Sequence, residues 1–378
     1  MSELRPLWID TPGGVREAAA RCAAAKRIAL DTEADSMHSY FHKVCLVQIS
    51  ANGHHMVIDP LAVEPGDLRP LWEVVSDPAV PVLMHGADYD IRILDRDYGV
   101  RIAGLQDTQI MAQLLGEEKT GLAALLEKEL GILLDKKYQR ADWGSRPLHA
   151  GQLAYAAADT AHLGELVDRL TARLRELERW AWAVEEFGKL ENVRYTPVDP
   201  DPLAFERIKG ARGLRGVARD RLYSLHQWRD LCARSGDIPP FKILGNKALL
   251  AMAEKPPSDL EELGEVEGVG PRAVRRWGRD LLRLIDRPRR APARVRPPRP
   301  PTPDASERRR LKRMLAARDA KAEELGIQAG LLCSRGVAEM VSSRKPVCTT
   351  VQDLSAAGVD GWRLEVFGED LLKAIAEE

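Results

Sequence analysis

Apolar positions form short continuous runs early in the chain and helical spacings later. Ile28-Ala29-Leu30, the run 44–49 and the run 55–59 read as strands, the first as a buried central one. Asn52-Gly53 between the second and third runs predicts a hairpin turn. Helices are predicted over 11–25, with Thr11 as cap, and over 65–76, from near 87, and over 108–115 and 121–130. Strands are predicted over 80–85 and 102–105, and one long helix from 150 past 174, its apolar repeat running toward Phe187. Hairpin-linked strands followed by alternating helices and strands predict a mixed sheet with helices on its faces.

Beyond residue 191 the pattern becomes wholly helical. A proline-containing stretch, 192–208, reads as a linker, and helices 222–233, 246–252, 258–263 and 271–285 form a small bundle spanning 209–288. A proline- and arginine-rich tether, 289–305, leads to a second helical segment, 306–378. Trp277-Gly278 in one module answers Phe367-Gly368 in the other, the mark of a degenerate repeat. The expected organisation is therefore an α/β domain over 1–191 followed by two all-α modules.

Composition narrows the classes. At 378 residues and 44% hydrophobic, the chain suits two or three domains and excludes global disorder. A net charge of −1 does not advertise a nucleic-acid binder, so charge must be read locally. The five cysteines are scattered without a C-x-x-C pair, which argues against a zinc site or disulfide framework and fits a reducing cytosol. No signal-peptide pattern opens the sequence and no run reaches the ~18 apolar residues of a membrane span. A cytoplasmic protein without membrane contact is the expectation; the oligomeric state is not legible.

The chemistry lies in the acids. Asp31 and Glu33 end the first strand on one face, where unshielded carboxylates repel each other. A hard divalent cation, Mg²⁺ or Mn²⁺, suits such donors. Asp88 and Asp90 lie where a strand passes into a helix, and either could face a ligand at the sheet's end. Tyr155 and Asp159 share one helical face, separated by three alanines that allow close approach. Four such carboxylates at one edge would need charge compensation, which two divalent ions ~3.5–4 Å apart would provide. Between 135 and 148, Lys136, Lys137, Arg140 and Arg146 interleave with Tyr138 and Trp143, a pattern suited to phosphates and stacked bases or to a loop pinned by its tryptophan.

Together these motifs resemble the ribonuclease D family, in the DEDD superfamily with a tyrosine in its third motif. The motifs are Asp31-Thr32-Glu33, His85-Gly86-Ala87-Asp88-Tyr89-Asp90 and Tyr155-Ala156-Ala157-Ala158-Asp159. Asp107-Thr108-Gln109 and Asp142-Trp143-Gly144-Ser145-Arg146-Pro147-Leu148 also look like family stretches, and the helical modules resemble the domain shared with RecQ-type helicases (HRDC), the first more closely.

The resemblance implies a ribonuclease H-like exonuclease domain, a mixed sheet flanked by helices, followed by two helical-bundle domains. It implies 3′-5′ hydrolysis of RNA to nucleoside 5′-monophosphates, with RNA bearing a free 3′ end, notably tRNA precursors, as partner. It selects Asp90 over Asp88, so that Asp31, Glu33, Asp90 and Asp159 would hold two Mg²⁺ or Mn²⁺ ions while Tyr155 orients the attacking water. Candidate nucleic-acid contacts are Thr32, Gln48, His85, Lys137, Arg140, Trp143, Arg146 and Arg272. A DNA exonuclease and a non-catalytic nucleic-acid adaptor are the rival readings; no Walker motif is present to support a helicase.

Overall fold

A computed structural model describes residues 4–197, 199–294 and 302–377. The central sheet has six strands: β1 (Leu7–Ile9), β2 (Ile28–Ala34), β3 (Val44–Ala51), β4 (His54–Ile58), β5 (Val82–Met84) and β6 (Leu105–Asp107). Their order is β1-β4-β3-β2-β5-β6, with β3 antiparallel to β4 and β2, β5 and β6 mutually parallel. This is the expected mixed sheet. Parallel neighbours end at the same edge, so the tails of β2, β5 and β6 gather Asp31 and Glu33, the His85–Asp90 stretch and Asp107.

Helices α1 (Pro12–Ala23), α2 (Arg69–Val75), α3 (Asp88–Tyr98), α4 (Thr108–Leu114), α5 (Leu122–Leu130), α6 (Ala150–Ala161), α7 (Leu163–Glu176) and α8 (Trp180–Glu191) accompany it. Thr11 caps α1, accepting from the Gly14 amide. The β3–β4 turn places Asn52 and Gly53 at φ 47° and 77°, as the Asn-Gly signal requires. Three expectations need correction. The apolar pattern gives no strand at the three-residue β1, β6 lies later than the predicted 102–105, and the long helix is three helices. It breaks at His162, whose backbone leaves the helical region, and again at Glu178, at φ 57°. Apolar spacing survives both breaks because each new helix turns its own apolar side inward.

The described residues pack as two units, a division that does not follow chain order. Unit 1 comprises Met1–Glu33, Val44–Tyr195 and Pro300–Glu378; unit 2 comprises Ala34–Lys43 and Thr196–Arg299. The C-terminal segment 305–376 thus belongs with the sheet-containing unit, reaching it through α8. In chain order the helical part contains α9 (Gly216–Ser235), α10 (Pro240–Ile243), α11 (Asn246–Glu254), α12 (Leu260–Glu265), α13 (Pro271–Asp286), α14 (Ala305–Leu325), α15 (Ala329–Leu332), α16 (Arg335–Ser343), α17 (Val351–Ser355) and α18 (Gly361–Ala376).

Within unit 1, α18 is latched to α8. Trp182 and Trp362 stack with centroids 4.5 Å apart and planes at 13°. Arg363 pairs with both oxygens of Glu186 at 2.6 and 3.0 Å, and Lys189 with Asp360 at 3.0 Å. Gly361, at φ 53°, lies so close to Glu185 that a Cβ would come within 1.8 Å of its Oε1. Unit 2 closes around Leu222, Leu225, Leu249, Leu263 and Leu281. The segment after Glu33 belongs to it: Tyr40 donates to Asp230 at 2.9 Å, and the Phe41 amide to Asp237 at 2.8 Å. The central part of the 289–305 tether, residues 295–301, lies outside the described residues. No described helix is long and apolar enough to cross a membrane.

Candidate active site

In β2, Thr32 is buried between the half-buried Asp31 and Glu33, as strand alternation demands. Its hydroxyl donates to Asp90 Oδ1 through a short hydrogen bond, tying the end of β2 to the first turn of α3. The two acids of α3 part company. Asp90 is buried, whereas Asp88 is exposed and grips Arg92 through two 2.9 Å contacts. Asp159 comes from α6, which settles closely on the β3 and β4 side because Ala156 and Ala157 present no bulk to Leu46 and Val57.

The electrostatics follow from this convergence. Burial raises the Asp31 carboxyl well above the usual carboxylate range, and the charges of Asp90, Asp159 and Glu33 add to it. Burial and then the charges of Asp159 and Asp90 push Glu33 to about 9. Burial raises Asp159 to about 7 and, against the Thr32 hydrogen bond, Asp90 to about 6. Burial also raises the Tyr155 phenol above its ordinary value, with Asp159, Glu33 and Asp31 contributing. The charges acting on Asp31 and Glu33 are all negative. Such a set is chemically suited to divalent cations, since hard oxygen donors lacking a counter-charge are what those ions take. Among the described residues, however, no three or more His, Cys, Asp or Glu side chains are gathered closely enough to form a metal-binding group. The acids stand within electrostatic reach without closing into a ligand shell.

Asp31, His85, Tyr155 and Asp159 line a cavity of about 400 Å³, shared with the start of α5 at Gly121–Ala124 and with Lys136 and Gln139. Tyr155 is held between aromatic rings, Trp143 at 6.0 Å and Tyr138 at 6.2 Å between centroids. This corrects the base-stacking expectation for Trp143, which is 1% exposed and buttresses Tyr155 from the core. Gln48 is likewise fully buried on β3 and inaccessible to a nucleic acid, its amide atoms without a hydrogen-bond partner among the described residues.

Arg146 is also structural. Its Nε and Nη2 each reach Asp59 at 2.7 Å, and the guanidinium donates to the carbonyls of Cys45 and Trp143. Arg146→Ala would strand the buried Asp59 and is expected to cost about 3 kcal/mol, measurable by denaturant unfolding. A loss within experimental error of zero would show the pair to be dispensable. Lys137 is exposed, its Nζ 5.2 Å from the Tyr138 ring centroid, and Arg140 is exposed on the same loop. Arg272 is exposed on α13 of unit 2.

Two residues carry more than sequence reasoning gave them. Asp107, fully buried, accepts from the Gln109 and Ile110 amides as the α4 cap, and from the Ala87 amide at 2.7 Å. It thereby fixes the turn through Gly86, at φ 67°, that delivers Asp90. Thr108 lies beneath His85. An Asp-Thr pair opening a helix after a short strand is the local signal; its reach back to residue 87 is not.

The sequence matches the family described as 3′-5′ exonuclease over residues 6–175 and the HRDC domain over residues 218–285. Ribonuclease D of Granulibacter bethesdensis is 31% identical, the match covering 94% of this chain and 89% of that protein. The exosome complex exonuclease RRP6 of Saccharomyces cerevisiae is 32% identical across 68% of this chain and 37% of its own length. The crystal structure of Escherichia coli RNase D, described as an exoribonuclease involved in structured RNA processing, superposes with a TM-score of 0.68. That match has 26% identity and covers 98% of this chain and 99% of that one.

Proposed function

The chain belongs to the ribonuclease D family and is a 3′-5′ exoribonuclease, and from that premise we propose that it trims 3′ extensions from structured RNA, tRNA precursors among them, releasing nucleoside 5′-monophosphates. The observation that supports this most directly is the convergence of Asp31, Glu33, Asp90 and Asp159 at one sheet edge, each carboxyl raised above its ordinary range.

In this reading Asp31, Glu33, Asp90 and Asp159 are the residues that would hold the divalent ions. Bound there, Mg²⁺ or Mn²⁺ would activate water for attack and offset charge on the leaving 3′ oxygen. The Thr32 hydroxyl holds Asp90 in place through their hydrogen bond. Tyr155 positions rather than deprotonates. A phenol raised above its ordinary value stays protonated at neutral pH and acts as a fixed hydrogen-bond partner for the attacking water. Its ring is set by Trp143 and Tyr138. Tyr155→Phe is expected to slow single-turnover hydrolysis by about tenfold to a hundredfold with RNA binding unchanged. Weakened binding with normal chemistry would remove the positioning role.

The test is degradation of matched RNA and DNA bearing single-stranded 3′ tails, with and without Mg²⁺ or Mn²⁺. Metal-dependent, 3′-to-5′ release of mononucleotides from RNA, including a 3′-extended tRNA, is expected. Activity insensitive to chelation, or confined to DNA, would overturn the proposal.

A further inference from the structure

His85 occupies the passage from β5 into α3 and lines the cavity that holds Asp31, Tyr155 and Asp159. Thr108, fully buried, decides how its imidazole is protonated. The Thr108 hydroxyl donates to the Met84 carbonyl at 3.2 Å. A hydroxyl has one proton to give. With the hydroxyl proton assigned to the Met84 carbonyl, the 2.9 Å contact between Thr108 Oγ1 and His85 Nδ1 runs from the ring to the hydroxyl, with Nδ1–H as donor. That fixes the tautomer and leaves the lone pair on Nε2. Burial lowers the ring's pKa, and the opposing charge of Asp107 is the lesser influence, so the imidazole is neutral at pH 7.

A neutral ring nitrogen with a lone pair cannot attract a phosphate, which needs a donor or a cation. It accepts. Of the donors on a terminal nucleotide, the ribose hydroxyls lie nearest the phosphodiester that the carboxylate edge would address. We infer that His85 Nε2 accepts a hydrogen bond from a ribose hydroxyl of the nucleotide being removed, making His85 a specificity-determining residue that helps distinguish RNA from DNA. The inference rests on the exoribonuclease reading above and deepens it. Its chemical logic is the penalty a site pays when a buried acceptor built for a hydroxyl meets a substrate lacking one.

The experiment compares kcat/KM on three RNA tails, ending in a ribonucleotide, a 2′-deoxynucleotide or a 3′-deoxynucleotide. The enzymes are the unaltered chain, His85→Phe and His85→Gln, the last keeping an acceptor. The unaltered chain is expected to lose about tenfold on one of the deoxy tails, which identifies the hydroxyl read. His85→Phe is expected to lose about tenfold on the ribose tail and nothing further on that deoxy tail. His85→Gln should restore part of the discrimination, and it serves as the readout if the phenylalanine variant does not melt cooperatively. No penalty on either deoxy tail with the unaltered chain, or an undiminished penalty in both folded variants, would overturn the inference. A chain inactive on all three tails with Mg²⁺ and Mn²⁺ would instead overturn the proposed trimming of RNA 3′ ends.

Discussion

Asp31→Asn is expected to abolish turnover, lowering the single-turnover rate on a 3′-extended RNA by about a thousandfold or more, ~4 kcal/mol of transition-state stabilisation. Asp31 is the acid on which the charges of all three others act. Removing its charge takes away the central oxygen donor of the acidic set that would hold the divalent ions, while an amide of the same shape preserves the packing of β2. The fold should therefore survive, with unchanged circular dichroism. Thermal stability without metal should rise, because one source of repulsion is gone. An asparagine variant working within tenfold of the unaltered rate would reject the assignment of the acidic set.

The second large effect is on stability as a function of pH. Asp90, Asp159 and Glu33 have folded pKa values of about 6, 7 and 9, all above those of unfolded carboxyl groups near 4. Between these limits the folded chain binds more protons than the unfolded one, so raising pH favours unfolding. The stability these acids lend is complete below pH ~4 and is withdrawn as pH climbs through 6 to 9. Without divalent ions, stability is expected to fall by at least about 2 kcal/mol between pH 5 and pH 9. Mg²⁺ or Mn²⁺ should flatten the decline, since a cation takes over the role of the proton. Melting curves across that range in chelator and in Mn²⁺ measure both effects. A metal-free curve that rises toward pH 9 would contradict the raised pKa values, and identical curves would contradict cation binding there.

How far the sequence carried the fold and site depended on whether a partner was local. Asp31 and Glu33 declared a shared face through strand alternation alone, and Tyr155 and Asp159 through helical spacing. Asp88 and Asp90 are equivalent in local pattern. What separates them is burial against Thr32 for one and an exposed ion pair with Arg92 for the other. The loop 135–148 misled for the same reason. Its basic and aromatic residues suit RNA by type, yet Arg146 is committed to Asp59, 87 positions away, and Trp143 to Tyr155. The break at His162 was hidden because apolar spacing continues across it.

The α8–α18 latch bears on synthesis. A ribosome delivers the sheet and α8 long before α18, with the larger part of unit 2, Thr196–Arg299, emerging between them. Until then Trp182 has no ring to lie against and Glu186 no guanidinium, so a nascent chain exposes a sticky, half-charged ledge for the time needed to translate roughly 170 further residues. Truncated chains ending before Gly361 would keep that ledge permanently, making them clients for chaperones and proteases even with every acid of the sheet edge intact.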